Sequence, residues 1–173
     1  VILGICMTDK DRINSQEAVI KLWTHEVWRV FGDRLTNDDD KLLLLRSMRD
    51  VIRKIFGANF DNVMAAYDKN KDGKVDTIDE IRALMFTDVL TARTAKLIYE
   101  EVTDFQRLQQ SLEDHLNVYN STSDKPMDLV LFSFAIEHLL IITRILKQPG
   151  GNALLIGVGG SGRQSLTNLA SYI

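Results

Sequence analysis

The chain has 173 residues, of which 45% are hydrophobic and 26% charged, a balance typical of globular proteins with a buried core. A net charge of −3 and a pI of about 5.6 argue against the basic surface that nucleic-acid-binding proteins use. No apolar run approaches the roughly 18 residues of a membrane span, so we expect neither a nucleic-acid nor a membrane partner. Cys6 is the only cysteine, which excludes an intrachain disulfide.

The first two-thirds of the chain is predicted to be helical, because apolar residues recur there at three- and four-residue steps. Ser15 is a predicted N-terminal cap of the first helix, and Gly57 a predicted C-terminal end of the second. Pro126 closes a polar stretch where we place the main boundary. The predicted helices cover residues 14–35, 41–56, 59–67, 79–90 and 103–119.

A polar loop at residues 68–79, DKNKDGKVDTID, matches the EF-hand calcium pattern at every position but the last. Calcium takes six to eight oxygens, which a twelve-residue loop supplies from positions 1, 3, 5, 7, 9 and 12. Gly73 falls where the chain turns with a positive φ, and Val75 falls where an apolar residue packs inward. The predicted ligands are five side chains and one backbone carbonyl, that of the lysine: Asp68, Asn70, Asp72, Lys74, Asp76 and Asp79.

This loop departs from the pattern in two ways. Asp79 stands where the pattern has a bidentate glutamate, so we expect weaker calcium binding and a shift in favour of the smaller magnesium ion. EF-hands usually occur in pairs, and the sequence shows no second loop. The alternative is an acidic surface turn that holds no metal.

A second motif, ALLIGVGGSGRQS, predicts a short apolar strand at 153–157, a glycine-rich turn, and a helix from residue 161. In a P-loop, backbone N–H groups and the helix N-terminus surround phosphate oxygens. Gly157 and Gly162 keep the P-loop spacing, but Arg163 replaces the usual lysine and Gln164 the usual hydroxyl residue, with Ser165 one place later. The alternative is a glycine-rich turn that binds nothing.

The stretch from Pro126 to Ala170, which contains GVGGSGRQS, resembles the start of the fourth AAA+ module of axonemal dynein heavy chains. That family carries the same arginine and glutamine variant of the loop. LWTHEVWRVFGDRL at 22–35 resembles the helical lid of the preceding, third module, and LNVYN at 116–120 fits the same family. An EF-hand-like insertion in this lid resembles some single-headed inner-arm heavy chains.

The resemblance implies a mainly α fold: a helical lid that contains an EF-hand-like helix-loop-helix, followed by a partial α/β P-loop segment of AAA+ type. It divides the chain into the lid at 1–57, the helix-loop-helix at 58–90, the rest of the lid and a linker at 91–125, and a truncated P-loop module at 126–173. Residues around the phosphates are implied to be Gly157, Gly160, Gly162, Arg163, Gln164 and Ser165. Residues lining the adenine pocket are implied to be Leu129, Val130 and Leu131, for which plain core packing is the alternative.

The resemblance also implies ATP or ADP as ligand, with Mg²⁺, beside Ca²⁺ in the acidic loop. The implied partners are the other AAA+ modules of the same heavy chain, microtubules, and dynein light and intermediate chains, in the cytoplasm and the axoneme of a cilium or flagellum.

The chain begins with Val1 and ends eight residues after Ser165, which predicts a fragment of a longer motor. We therefore expect a regulatory role and no ATP hydrolysis by this chain alone. Two alternatives are a calcium-binding helical adaptor whose glycine loop is inert, and a small nucleotide hydrolase.

Overall fold

The computed structural model describes residues 1–9, 13–91 and 98–173. Residues 1–9, 13–86 and 98–102 form one compact unit, and residues 87–91 and 103–173 form a second. The mainly helical fold predicted from the sequence is confirmed. Within the predicted segment 91–125, residues 92–97 lie outside the described residues, and the division of the chain into four segments stays a prediction.

The first unit is built from short helices around an apolar core. Ser15 caps the helix Gln16–Val27 by accepting the Ala18 N–H at 3.1 Å, and Gly57 ends the second long helical stretch with φ of 64°, as predicted. One π-helical turn extends the first of these helices over Trp28–Gly32, and another extends the helix Asp38–Val51 over Ile52–Phe56. The helices are α1 (Ile2–Ile5), α2 (Gln16–Val27), α3 (Asp38–Val51), α4 (Phe60–Val63) and α5 (Ile78–Ala83).

The core of this unit also holds a buried polar chain. The two imidazole nitrogens of His25 lie 3.0 Å from the Leu84 carbonyl and 3.1 Å from the Tyr99 hydroxyl, which donates to Glu26 Oε1 at 2.9 Å. His25, Tyr99 and Glu26 each have a hydrogen-bond partner. Together they hold residues 98–102 against α2 without an unpaired buried charge. The apolar core of the unit includes Ile20, Leu22, Leu45, Met48, Ile52, Met64, Val75 and Ile81.

The helix predicted over 79–90 is wrong in its second half, because α5 ends at Ala83. Leu84 turns to an extended conformation with ψ of 106°, and the Met85 carbonyl accepts the Val102 N–H at 2.9 Å. The chain then forms β1 (Phe86–Thr87), which pairs with β2 (Glu100–Glu101). The hydrogen-bonded pairing of β1 with the distant strand β2 outweighs the helical periodicity of residues 84–90, which expresses only a local preference.

The second unit contains α6 (Phe105–Thr122), α7 (Ser133–Leu146) and α8 (Arg163–Tyr172). The strand predicted at 153–157 does not form, and the regular structure of residues 103–173 is helical. Leu154 and Ile156 are 87% and 85% exposed. A strand needs a hydrogen-bonded neighbour, and neither of the two strands among the described residues pairs with this stretch.

None of the helices in the described part of the chain is long and apolar enough to cross a membrane.

Candidate functional site

The glycine-rich turn leads directly into α8. Gly162 is the N-cap of this helix with φ of 74°, a left-handed conformation that a side chain disfavours. At Gly159, Gly160 and Gly162 no atom beyond the glycine and its two chain neighbours lies within 4 Å of the place where a Cβ would be. The loop therefore presents bare backbone to open space at the positive end of a helix, which suits an anion.

Helix α8 is held by packing along its inner face. Leu169 is fully buried, Leu166 and Ala170 nearly so, and α7 packs along α8. Tyr172 meets Tyr119 of α6 edge to face, with ring centroids 5.2 Å apart. These contacts along the helix fix the position of its first residue. The helix begins at Arg163, two residues later than predicted.

The side chain of Arg163 turns back onto its own loop. Its guanidinium donates to the Val158 carbonyl at 2.9 Å and to the Leu155 carbonyl at 3.3 Å, and its Nε donates to Ser161 Oγ at 3.0 Å. Gln164 is exposed, and Ser165 is half-buried one place further along. The cation predicted to face phosphate is thus tied to carbonyl groups of the loop in this state.

The three residues assigned to an adenine pocket differ in environment. Leu131 is 4% exposed, Val130 is 73% exposed, and Leu129 is half-buried. Just before them, the side chain of Asn120 both accepts the Met127 N–H and donates to its carbonyl, each at 2.9 Å. This double hydrogen bond ties the segment to the end of α6.

The acidic loop is ordered by its own backbone. The Asp68 carboxylate accepts the N–H groups of Lys71 at 2.7 Å and Gly73 at 2.8 Å. Asp72 accepts the Lys74 N–H at 2.8 Å, and Asn70 Oδ1 accepts the Asp72 N–H at 3.0 Å. Gly73 has φ of 83°, as the motif predicts, and Val75 is fully buried.

The last position of the loop carries two adjacent acids in different environments. The Asp79 side chain is 83% exposed and lies 4.0 Å from Arg82. Its neighbour Glu80 is only 2% exposed and reaches back into the loop, where it accepts the Lys69 N–H at 3.1 Å and the Thr77 N–H at 3.1 Å. Glu80, which the motif match overlooked, is therefore the acid at this end of the loop whose carboxylate bonds to the loop backbone, and Asp79 as a cation ligand stays a prediction.

A sequence feature pointed to Glu80. Thr77 and Glu80 have the spacing of a capping box, in which the first residue caps a helix and the fourth bonds back to it. The structure shows this box at the start of α5. Burial acts to raise the pKa of Glu80, but hydrogen bonds from Thr77, Lys69 and Asp76 outweigh it and lower the pKa below its usual value.

The donor atoms of the loop suit a hard cation, since they are carboxylate, amide and carbonyl oxygens. Within the residues described, however, no three carboxylate, histidine or cysteine side chains are gathered around one point. The carboxylates bond to backbone N–H groups instead, although each oxygen has a second lone pair to offer. The oxygen donors of the loop suit a cation, and the predicted ligand set stays a prediction.

Comparison with known proteins places these features in a family. The family described as "P-loop containing dynein motor region D4" matches residues 127–173, and "AAA+ lid domain" matches residues 1–66. The first match includes α7, the glycine loop and α8, and the second includes α1 to α4.

Curated relatives match the whole length of the chain. Dynein axonemal heavy chain 12 of Mus musculus is 43% identical over 99% of this chain. Dynein axonemal heavy chain 3 of Mus musculus is 39% identical, and dynein axonemal heavy chain 2 of Homo sapiens 37% identical, each over 100% of it. The chain spans only 6% of the first relative and 4% of the other two. The lid match, the P-loop match and this continuous identity together show that the chain belongs to the axonemal dynein heavy-chain family.

Proposed function

We propose that the chain forms the junction between two AAA+ modules of a dynein motor, with the lid of the third module followed by the start of the fourth. The order of the two family matches along the chain, lid first and P-loop second, supports this arrangement. The single-headed inner-arm subtype belongs to the same proposal and is supported by the acidic loop inserted after the lid match.

The glycine loop is the part of the chain that we assign to the phosphates of ATP or ADP. The observation that carries this proposal is the open backbone of Gly160 and Gly162 at the start of a ten-residue helix. Gly157 completes the loop, Gln164 and Ser165 are the residues nearest a phosphate-bound Mg²⁺, and Leu129, Val130 and Leu131 are the candidates for contact with adenine. The role is regulatory binding, and we assign no catalytic residue.

Arg163 supplies the positive charge, and its side chain has to leave the carbonyl groups of Leu155 and Val158 to do so. A guanidinium forms two-pronged hydrogen bonds to phosphate that are stronger than neutral bonds to carbonyl oxygens. Titration with a fluorescent ADP analogue tests the role. We expect Arg163→Ala to weaken binding about tenfold or more, as loss of a charge-assisted bond implies. Asn168→Ala, exposed on the same helix, should bind like the wild type.

The self-bonded Arg163 also favours a second candidate function. If the wild-type chain binds no ADP analogue at millimolar concentration, the glycine loop is inert, and the calcium-binding adaptor becomes the better description. If Arg163→Ala binds the ADP analogue more tightly than the wild type does, the arginine blocks the loop and does not bind the phosphates.

We also propose that the acidic loop binds one divalent cation, Ca²⁺ or Mg²⁺, through Asp68, Asn70, Asp72 and the carbonyl of Lys74, with Asp76 at its edge. Glu80 closes the site in place of Asp79, since Glu80 is buried toward the loop and Asp79 faces solvent. Affinity at the weak end of the sensor range is expected, roughly 10⁻⁵ to 10⁻⁴ M.

Calorimetry with Ca²⁺ distinguishes the two acids. Glu80→Gln should abolish the binding heat, while Asp79→Asn, which removes an equal charge one residue away, should leave it within about twofold. The reverse result would restore Asp79 as the closing ligand. Absence of heat with the wild type would show that the loop is a surface turn.

At the level of the whole heavy chain, we propose an ATP-driven motor that moves on microtubules in the axoneme of a cilium or flagellum. This rests on the names of the relatives. The other AAA+ modules of the same chain, and dynein light and intermediate chains, are its proposed partners. Reconstitution of the full heavy chain with microtubules tests the proposal, and gliding that is insensitive to ATP would contradict it.

A further inference from the structure

Both backbone groups of Val75, in the middle of the acidic loop, are bonded to side chains of other elements. The Val75 N–H donates to Asp61 Oδ1 at 2.9 Å, and the Val75 carbonyl accepts from Arg49 Nη2 at 2.8 Å. The side chain of Val75 is fully buried in the core of the first unit. One residue thus has both its donor and its acceptor bonded to side chains, where in a paired strand they would bond to the backbone of a neighbouring strand.

The two side chains that do this are joined to each other. Arg49 and Asp61 form a two-pronged ion pair with N–O distances of 2.6 and 3.3 Å. Arg49 projects from α3 with its guanidinium 5.2 Å from the centre of the Phe60 ring, and Asp61 lies in the first turn of α4. Both side chains are about three-quarters buried or more, so solvent screens the pair only in part.

The rest of the loop is more exposed than Val75. Lys71, Asp72, Gly73 and Lys74 all lie at the surface. Val75 therefore attaches the middle of the loop to the body of the unit, through its buried side chain and through the backbone hydrogen bonds to Arg49 and Asp61. An exposed edge residue with free N–H and C=O groups would invite pairing with a second strand, and here the ion pair covers that edge.

We infer that Arg49 and Asp61 together take the place of a partner loop, so that the acidic loop works as a single unit whose geometry is set by α3 and α4. They are positioning residues, which touch the backbone of Val75 and not the cation. The inference rests on the proposed cation loop for its functional part. Its structural part, the attachment of Val75, stands on the contacts alone.

The first measurement is hydrogen exchange of the Val75 amide in the 173-residue chain without added cation. Arg49→Ala and Asp61→Ala should each lower protection at Val75 about five- to tenfold, as loss of one buried hydrogen bond implies. Asp61→Asn keeps an acceptor oxygen and preserves the fold, so its Val75 protection should lie between those of the wild type and Asp61→Ala. Protection of the Ile20 amide in the core serves as the reference. A variant in which the Val75 and Ile20 amides lose protection equally has lost overall stability and not the attachment of Val75.

The matched controls are Arg53→Ala and Asp50→Asn. Both residues are exposed and line the same surface cleft as Arg49 and Asp61, so they change charge equally without contacting Val75. Unchanged Val75 protection in Arg49→Ala and Asp61→Ala, or an equal loss in the two controls, would overturn the inference.

The second measurement is Ca²⁺ affinity of the same variants. Arg49→Ala and Asp61→Ala should bind about tenfold more weakly than the wild type, with Arg49→Lys intermediate because it keeps one donor. Wild-type affinity in both alanine variants would overturn the positioning role. A wild-type chain that takes up no Ca²⁺ instead overturns the proposed cation loop, and the attachment is then decided by the exchange data alone.

Discussion

Asp79 and Glu80 are adjacent acids that the fold puts in opposite environments. Asp79 lies on the outer side of the first turn of α5, and Glu80 lies on the inner side and caps the same helix. A helix turns by about 100° per residue, so neighbouring side chains cannot share one face. The chemistry of the loop therefore depends on where α5 begins, which is decided by the Thr77 cap.

The burial of Glu80 leads to a stability prediction. Glu80→Gln should lower the free energy of unfolding by about 1.5 to 3 kcal/mol at neutral pH, because hydrogen bonds to a charged acceptor are lost. Asp79→Asn at the exposed neighbouring position should cost little. Urea denaturation of the chain without added cation measures both, and equal losses would contradict the assigned roles.

The same residue sets a pH dependence. Since the pKa of Glu80 is lower in the folded chain than its usual value of 4.5, its contribution to stability is complete above that value and is lost as pH falls through the lower pKa of the folded chain. The difference in unfolding free energy between wild type and Glu80→Gln should therefore shrink below about pH 4. A difference that grows on acidification would contradict this assignment.

Among the elements, α8 matters most for the phosphate loop, because its packing fixes where the loop ends. Leu169 is fully buried and lies on the inner face of α8. Leu169→Ala should destabilise the second unit by about 2 to 5 kcal/mol, the usual cost of such a core truncation.

The neighbouring Asn168 is exposed and provides the control, since Asn168→Ala keeps the inner face intact. Chemical denaturation of both variants, followed by helical circular dichroism, measures the difference. If Leu169→Ala unfolds like Asn168→Ala, the inner face does not hold α8 in place.

At the scale of the whole molecule, residues 153–158 carry exposed apolar side chains outside any strand. Leu154, Ile156 and Val158 are each 79% or more exposed. Exposed apolar segments that are not paired in a sheet promote association between chains. We expect the 173-residue chain to self-associate as its concentration rises, and Ile156→Lys to reduce this.

Sedimentation velocity over a range of concentrations measures the effect. Ile55→Lys is the matched control, since Ile55 is 72% exposed but lies in a helical turn of the first unit whose backbone groups bond within the helix. Equal reduction by both substitutions would show that general surface charge, and not this segment, controls association.

Much of this protein was determined by sequence alone. The periodicity of apolar residues gave the helices and the caps at Ser15 and Gly57, because helices depend on contacts within a few residues. The glycine motif placed the loop before α8, and GVGGSGRQS led to the dynein family. These features are local in the chain, so they can be recognised without a fold.

Tertiary structure decided the rest. The helix at α5 stops early because Met85 pairs with Val102, and the stretch 153–157 stays unpaired because a strand depends on its neighbour. Glu80 is buried and Asp79 is exposed because adjacent residues of a helix lie on different sides. Arg49 and Asp61 meet at Val75 although 12 and 26 residues separate Arg49 from its two partners. Contacts between segments far apart in the chain depend on how the segments pack, and a local sequence pattern does not contain that information.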